Sequence, residues 1–94
     1  MVGFKEILRL EKMLKEKNIT YKIREEFGGY HIFYINKKGE VTCSVIEHCS
    51  SYGRDEDKLE IMGLLTEEEK KHDDVVGYLT AENVFNRILK DWEK

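Results

Sequence analysis

The densest grouping of chemically versatile side chains runs from Ser44 to Arg54, SVIEHCSSYGR. A serine or cysteine beside a histidine suggests a nucleophile and its base, which must lie within mutual reach. Ser44 and His48 are four residues apart, roughly 13 Å along an extended strand. Cys49 follows His48 directly, with no nucleophile signature around it. Cys43, His48, Cys49 and His72 are zinc-compatible types, but C-x4-H-C-x22-H is no standard zinc spacing. A regular strand would also point Cys43 and His48 to opposite faces. Small polar residues ahead of a helix can offer backbone N–H groups to an anion. Here Asp55-Glu56-Asp57 place three carboxylates where the anion would sit. Recognition is the remaining chemistry. Tyr52 and Arg54 are types that anchor interfaces, and Asp55, Glu56 and Asp57 supply charge beside them. The expected site is therefore a binding surface of His48, Ser51, Tyr52, Arg54, Asp55, Glu56 and Asp57. No catalytic residue, metal or cofactor is expected.

Two further surfaces compete with this loop. The second half is rich in acid: Asp55, Glu56, Asp57, Glu60, Glu67, Glu68, Glu69, Asp73 and Asp74. A solvated face that keeps the chain in solution accounts for it. An acidic patch that docks on a basic partner, by salt-dependent steering, is the functional alternative. The other surface is one side of a sheet, carrying Lys22, Arg24, His31, Phe33, Ile35, Ser44, Ile46 and His48. Basic and aromatic residues on a sheet can bind single strands. Cover by the C-terminal helices is the simpler expectation for Phe33, Ile35 and Ile46, and a homodimer contact is the other.

The elements that would hold these residues follow from periodicity. Phe4, Ile7, Leu8 and Leu14, with Leu10 and Met13, recur at helical spacing over about 4–17. Glu11 falls at the edge of that stripe, and Asn18 suits a left-handed terminator. The pattern then switches to period two. Ile19, Tyr21, Ile23 and Phe27 alternate with polar residues, Gly28-Gly29 reads as a tight turn, and Tyr30 to Asn36 as a second strand. Asn36 to Gly39 is the next turn and Glu40 to His48 the third strand. Residues 55–64 read as a helix begun by acidic residues. Thr66-Glu67-Glu68-Glu69 is a capping box opening a short helix. Val75 to Leu79 is a short extended segment suited to a sheet edge. Thr80 caps a last helix whose stripe is Ala81, Val84, Phe85, Ile88, Leu89 and Trp92. The expected fold is α+β: an N-terminal helix, a three-stranded antiparallel meander, then two to three C-terminal helices.

Ninety-four residues make one domain, 1–94, and leave little depth for a cleft. The net charge of −3 is uneven. Residues 1–53 hold nine Lys/Arg against seven Asp/Glu, a balance of +2, and residues 54–94 hold seven against twelve, a balance of −5. Nucleic-acid binders carry a basic excess, so direct DNA or RNA binding is disfavoured. Two cysteines make no disulfide framework. The start MVGFKEIL turns charged at once and no apolar run approaches a membrane span. A cytoplasmic protein with reduced thiols is expected.

The stretches CSVIEHCSSYG (43–53), LEIMGLLTEEE (59–69) and VVGYLTAENVFNRI (75–88) resemble small uncharacterised proteins encoded by phages and prophages of Gram-positive bacteria. The resemblance covers most of the chain and implies a mobile-element setting, where small acidic proteins often inhibit or modulate a host or defence protein. The helix-strand-strand-strand-helix order is also similar to double-stranded-RNA-binding domains, but residues 54–57 read RDED where such a domain needs bases. The expected function is a non-catalytic protein that engages a protein partner. A pocket protein that sequesters a small nucleotide-like ligand through His48, Ser51 and Tyr52 is the second expectation, and an enzyme the third.

Overall fold

The computed structural model describes residues 5–48 and 57–94. The first helix, α1, runs Lys5–Glu16 and buries Ile7, Leu10 and Leu14. It stops as Asn18 suggested. Asn18 takes φ 57°, its N–H bonds to the Lys15 carbonyl, and the Ile19 N–H reaches back to Leu14. This Schellman closure brings Ile19 against Leu14 in the core.

Strands β1 (Tyr21–Glu26), β2 (Gly29–Ile35) and β3 (Val41–Glu47) form the expected antiparallel meander. The first hairpin turns one residue earlier than Gly28-Gly29. Phe27 (φ 50°) and Gly28 (φ 78°) are its left-handed centre, and Glu26 pairs with Gly29. Gly29 serves another need: a Cβ there would run into the Glu47 carbonyl oxygen of β3.

The meander does not stop at three strands. Leu59–Met62 is strand β4, not part of a helix over 55–64. It pairs with β3 on one side and with β5 (Val75–Leu79) on the other, so the sheet has five strands in the order β1-β2-β3-β4-β5. The physical reason is local. Leu59 and Ile61 are buried while Glu60 and Met62 are not, a period-two pattern. Four residues are too few for a helix to gain from an apolar stripe, whereas a strand gains backbone hydrogen bonds from β3 at once.

Helix α2 is a single turn, Glu67–Lys70, closed by the Thr66 capping box. Helix α3 runs Ala81–Trp92 from the Thr80 cap and buries Ala81, Val84, Phe85 and Ile88. Helices α1 and α3 touch each other and the sheet. Between them and the sheet lie Ile32, Tyr34, Cys43, Val45, Leu59 and Ile61. Tyr34 is fully buried because its hydroxyl donates to Asp91 Oδ2 at 2.7 Å. Among the described residues no helix is long and apolar enough to cross a membrane.

Candidate functional site

Both long helices lie on one face, so among the described residues no helix covers the opposite face of the sheet. The C-terminal helices do not cover Phe33, Ile35 and Ile46, contrary to the simpler expectation; none of the three belongs to the buried core. With 59–62 in the sheet, α3 is the one long helix after the meander, and its stripe is spent beside α1 on the face that holds Val45.

Cross-strand register orders the open face. Lys22 pairs with Phe33, Phe33 with Ser44, Ser44 with Met62, and Met62 with Val75. A second row runs from Arg24 through His31 and Ile46 to Glu60. The Arg24 guanidinium lies 5.2 Å over the Phe33 ring, and His31 stacks on the same ring at 3.9 Å. Met62 is 57 % exposed. His31, Ser44, Ile46, Glu60 and Met62 line a hollow of about 160 Å³.

One carboxylate organises the end of this face. Glu26 Oε1 accepts from Arg24 Nε at 2.9 Å. Its Oε2 lies 3.0 Å from His31 Nδ1 and 3.4 Å from His48 Nε2. Burial pulls the Glu26 carboxyl up, but hydrogen bonds from Arg24 and His31 outweigh it, and the net shift is down. The carboxylate at Nδ1 assigns the proton to that nitrogen. The other ring nitrogen of His31, Nε2, is buried with no hydrogen-bond partner. His48 is buried, with Phe27 edge-on at 5.2 Å.

The covered face ends in a different carboxylate group, which ties helix starts to the sheet. Glu47 Oε1 accepts from the Ile7 N–H at 3.0 Å, Asp57 Oδ1 from Glu6 N–H at 3.1 Å, and Glu6 Oε2 from Ala81 N–H at 2.6 Å. Acids placed this way satisfy unpaired first-turn donors of α1 and α3. Burial, then the shared hydrogen bond with Asp57, pushes Glu47 up to about 8. Burial also pulls Asp57 up, but the Glu47 proton and the N–H groups of Glu6 and Lys5 hold it below its usual value. Ionised, Glu47 Oε2 has no hydrogen-bond partner; protonated, Glu47 donates to the Asp57 carboxylate.

Of the seven residues expected at the binding surface, Ser51, Tyr52, Arg54, Asp55 and Glu56 lie outside the described residues. His48 belongs to the Glu26 group, and the Asp57 carboxylate is turned to the start of α1. The acidic surface is similarly divided. Glu67, Glu68, Asp73 and Asp74 are exposed, whereas Glu69 forms a two-pronged pair with Arg87 at 2.7 and 2.8 Å. Arg87 holds the Glu69 carboxyl down to about 2.

The groups considered for bond chemistry are dispersed. Cys43 is buried on the covered face, and burial raises its thiol to about 12, which leaves little thiolate. His72 stands exposed beside Glu68. Ser44 shares the hollow with His31, not with His48. Among the described residues no group of three or more His, Cys, Asp or Glu is placed to hold a metal ion. Glu26, Glu60 and Met62 join the expected residues on this face. Alternation of Glu60 and Met62 with Leu59 and Ile61 was the available signal. Against family models, curated proteins and solved structures the chain shows no match.

Proposed function

We propose that this chain is a small non-catalytic binding protein that acts through protein–protein contact, as an inhibitor or modulator of a host or defence protein in a phage or prophage setting. The observation that supports it best is the sheet face that no helix of the described residues covers. Phe33, Ile46 and Met62 lie together outside the core, rimmed by Lys22, Arg24 and Glu60. An apolar centre with a charged rim is the usual anatomy of an interface. At one end this face meets His48, where the 49–56 segment with Tyr52 and Arg54 begins. Affinity capture from a Gram-positive host lysate tests the reading. A protein retained by the wild type is lost with Phe33→Asp or with Tyr52→Ala/Arg54→Ala. Retention by all of these variants counts against it.

A second reading has one specific support. The hollow is lined by His31, whose ring keeps a buried nitrogen without a hydrogen-bond partner, and a small hydrogen-bonding ligand of the nucleotide-like class would supply one. Its volume of about 160 Å³ is below the roughly 300 Å³ where small-molecule sites begin, which places it second. Native mass spectrometry of protein purified from host cells separates the two: an added small-molecule mass, lost on His31→Ala, favours the pocket.

A further inference from the structure

The edge strand β1 leaves backbone groups unpaired. It ends the sheet order and pairs with β2 alone. The Ile35 N–H donates to the Thr20 carbonyl, so 20 and 35 are a hydrogen-bonded pair, and such pairs alternate along an antiparallel ladder. The register then bonds Lys22 to Phe33, Arg24 to His31 and Glu26 to Gly29, and turns the N–H and C=O of Tyr21, Ile23 and Glu25 outward. The side chains of those three residues lie on the face that bears the helices, where the Tyr21 hydroxyl donates to Glu11 of α1 at 2.8 Å. A groove of about 340 Å³ runs there between α1 and β1, lined by Leu8, Glu11, Ile23, Arg24, Glu25 and Tyr30. We propose that this edge and its groove take an extended segment of a partner protein as a sixth, antiparallel strand, with a basic side chain against Glu25 and an apolar one, two residues further on, against Ile23 and Leu8.

Geometry selects an extended occupant. Backbone groups that point outward at every second residue match a strand and not a helix. No backbone bond from another described segment reaches this edge. Charge then selects the side chains. In an antiparallel addition the residue opposite Ile23 falls on the groove side against Leu8, which is 39 % exposed, and the residue opposite Glu25 meets a carboxylate. Glu25 is exposed, and among the described residues no hydrogen bond or ion pair takes up its side chain. The other charged groups at the groove are already engaged. Glu11 accepts from Tyr21 and pairs with Lys15. Arg24 sends its guanidinium to Glu26 and over the Phe33 ring, on the opposite face. Glu25 is therefore the carboxylate left for a foreign cation.

Charge on an edge strand also suppresses pairing with any apolar strand that drifts by. Lys22 and Arg24 supply it on the face away from the groove, and Glu25 supplies it within the groove. A segment must match Glu25 as well as the backbone, and specificity follows from that demand. The surface is separate from Phe33, Ile46 and Met62, which lie on the opposite face of the sheet, so each surface is lost without the other.

Amide hydrogen exchange of the full chain, read by NMR with and without a synthetic peptide, tests it. The probe is an acetylated octapeptide that repeats Lys-Thr-Val-Thr twice. In the free protein the N–H groups of Ile23 and Glu25 are expected to exchange faster than those of Lys22 and Arg24, which bond to β2. The probe slows exchange at Ile23 and Glu25. The same peptide N-methylated at its lysine and valine nitrogens does not, because those N–H groups make the new ladder. Glu25→Lys, checked for folding by circular dichroism, weakens binding about tenfold, and so does glutamate in place of lysine in the probe. Leu8→Gln weakens it about threefold, and Glu67→Lys, at an exposed acid elsewhere, leaves it unchanged. No slowing with roughly 1 mM probe, equal binding by the N-methylated peptide, or an equal loss with Glu67→Lys overturns the proposal. If the probe fails to bind while Phe33→Asp still abolishes lysate capture, strand addition fails and the binding reading survives. Slowing at Ile23 and Glu25 with capture untouched by Phe33→Asp supports strand addition and counts against the other face.

Discussion

Val45 and Ile46 are neighbours in one strand and belong to different environments. Val45 is 0 % exposed, packed beneath α1 and α3 with Ile32, Cys43 and Ile61. Ile46 points the other way, between His31 and Glu60, where no helix of the described residues lies. The asymmetry has a simple geometric origin. Two helices, each about 10 Å across, span about the 20 Å width of a five-stranded sheet and so cover one face. The short α2 buries nothing and adds no second layer. Apolar residues on the two faces therefore differ in burial: one set forms the core, and Phe33, Ile46 and Met62 stay outside it.

The largest test of that difference uses the two neighbours. Val45→Asp places a charge in the core, and a loss of more than about 4 kcal/mol is expected, enough to unfold much of the protein. Ile46→Asp changes stability by less than about 1 kcal/mol. Urea unfolding compares them. Equal losses would mean that the open face is also core.

The next effect belongs to Glu47, at the end of the covered face. Glu47→Ala orphans the Ile7 N–H and is expected to cost about 1–3 kcal/mol in thermal or urea unfolding. The pH dependence has a definite sign. Its folded value of about 8 lies above the ordinary 4.5, so the folded state holds the proton more tightly. The stability it contributes is full below pH 4.5 and is lost as pH rises through 8. Glu47→Gln keeps an acceptor for Ile7 and should flatten this part of the profile. On the opposite face Glu26 is shifted down, so its contribution is present above the ordinary carboxylate range and is lost as pH falls. An unchanged alkaline limb in Glu47→Gln would remove Glu47 from the account.

The smallest effect concerns the layer that makes the faces unequal. Thr80 caps α3 by accepting from the Asn83 N–H at 3.1 Å. Thr80→Ala should cost about 1 kcal/mol in urea unfolding, without altering lysate capture through the open face. Loss of capture at unchanged stability would tie α3 to recognition and blur the distinction.

Much of the fold was legible because its signals are local. The α1 stripe, the left-handed Asn18, the period-two run from Tyr21 to Glu47, and the caps at Thr66 and Thr80 each depend on a few neighbouring residues. The hairpin was displaced by one residue because Gly28-Gly29 contains two glycines, and only pairing with Glu47 shows which of them the sheet needs. The β4 strand was misread because LEIM is as apolar as a helix face and is bounded by acids that suit a helix start. That misreading propagated. An imagined helix over 55–64 supplied spare cover for Phe33 and Ile46, and hid Glu60 and Met62 as members of the same face. The roles of Asp57 and Glu69 were likewise invisible. Each looks like one more surface acid until a distant partner, the Glu6 N–H or Arg87, is placed beside it.

The sequence by itself determined where helices start and stop, which strand residues alternate, and how charge divides between the halves, because these are set by backbone preference and periodicity over a few residues. Only the tertiary structure decided which face of the sheet the helices take, that Leu59–Met62 is the strand joining the meander to the Val75–Leu79 edge, and which carboxylates turn inward. Those outcomes depend on contacts between residues as much as 75 positions apart, such as Glu6 with Ala81, and no short-range pattern encodes them.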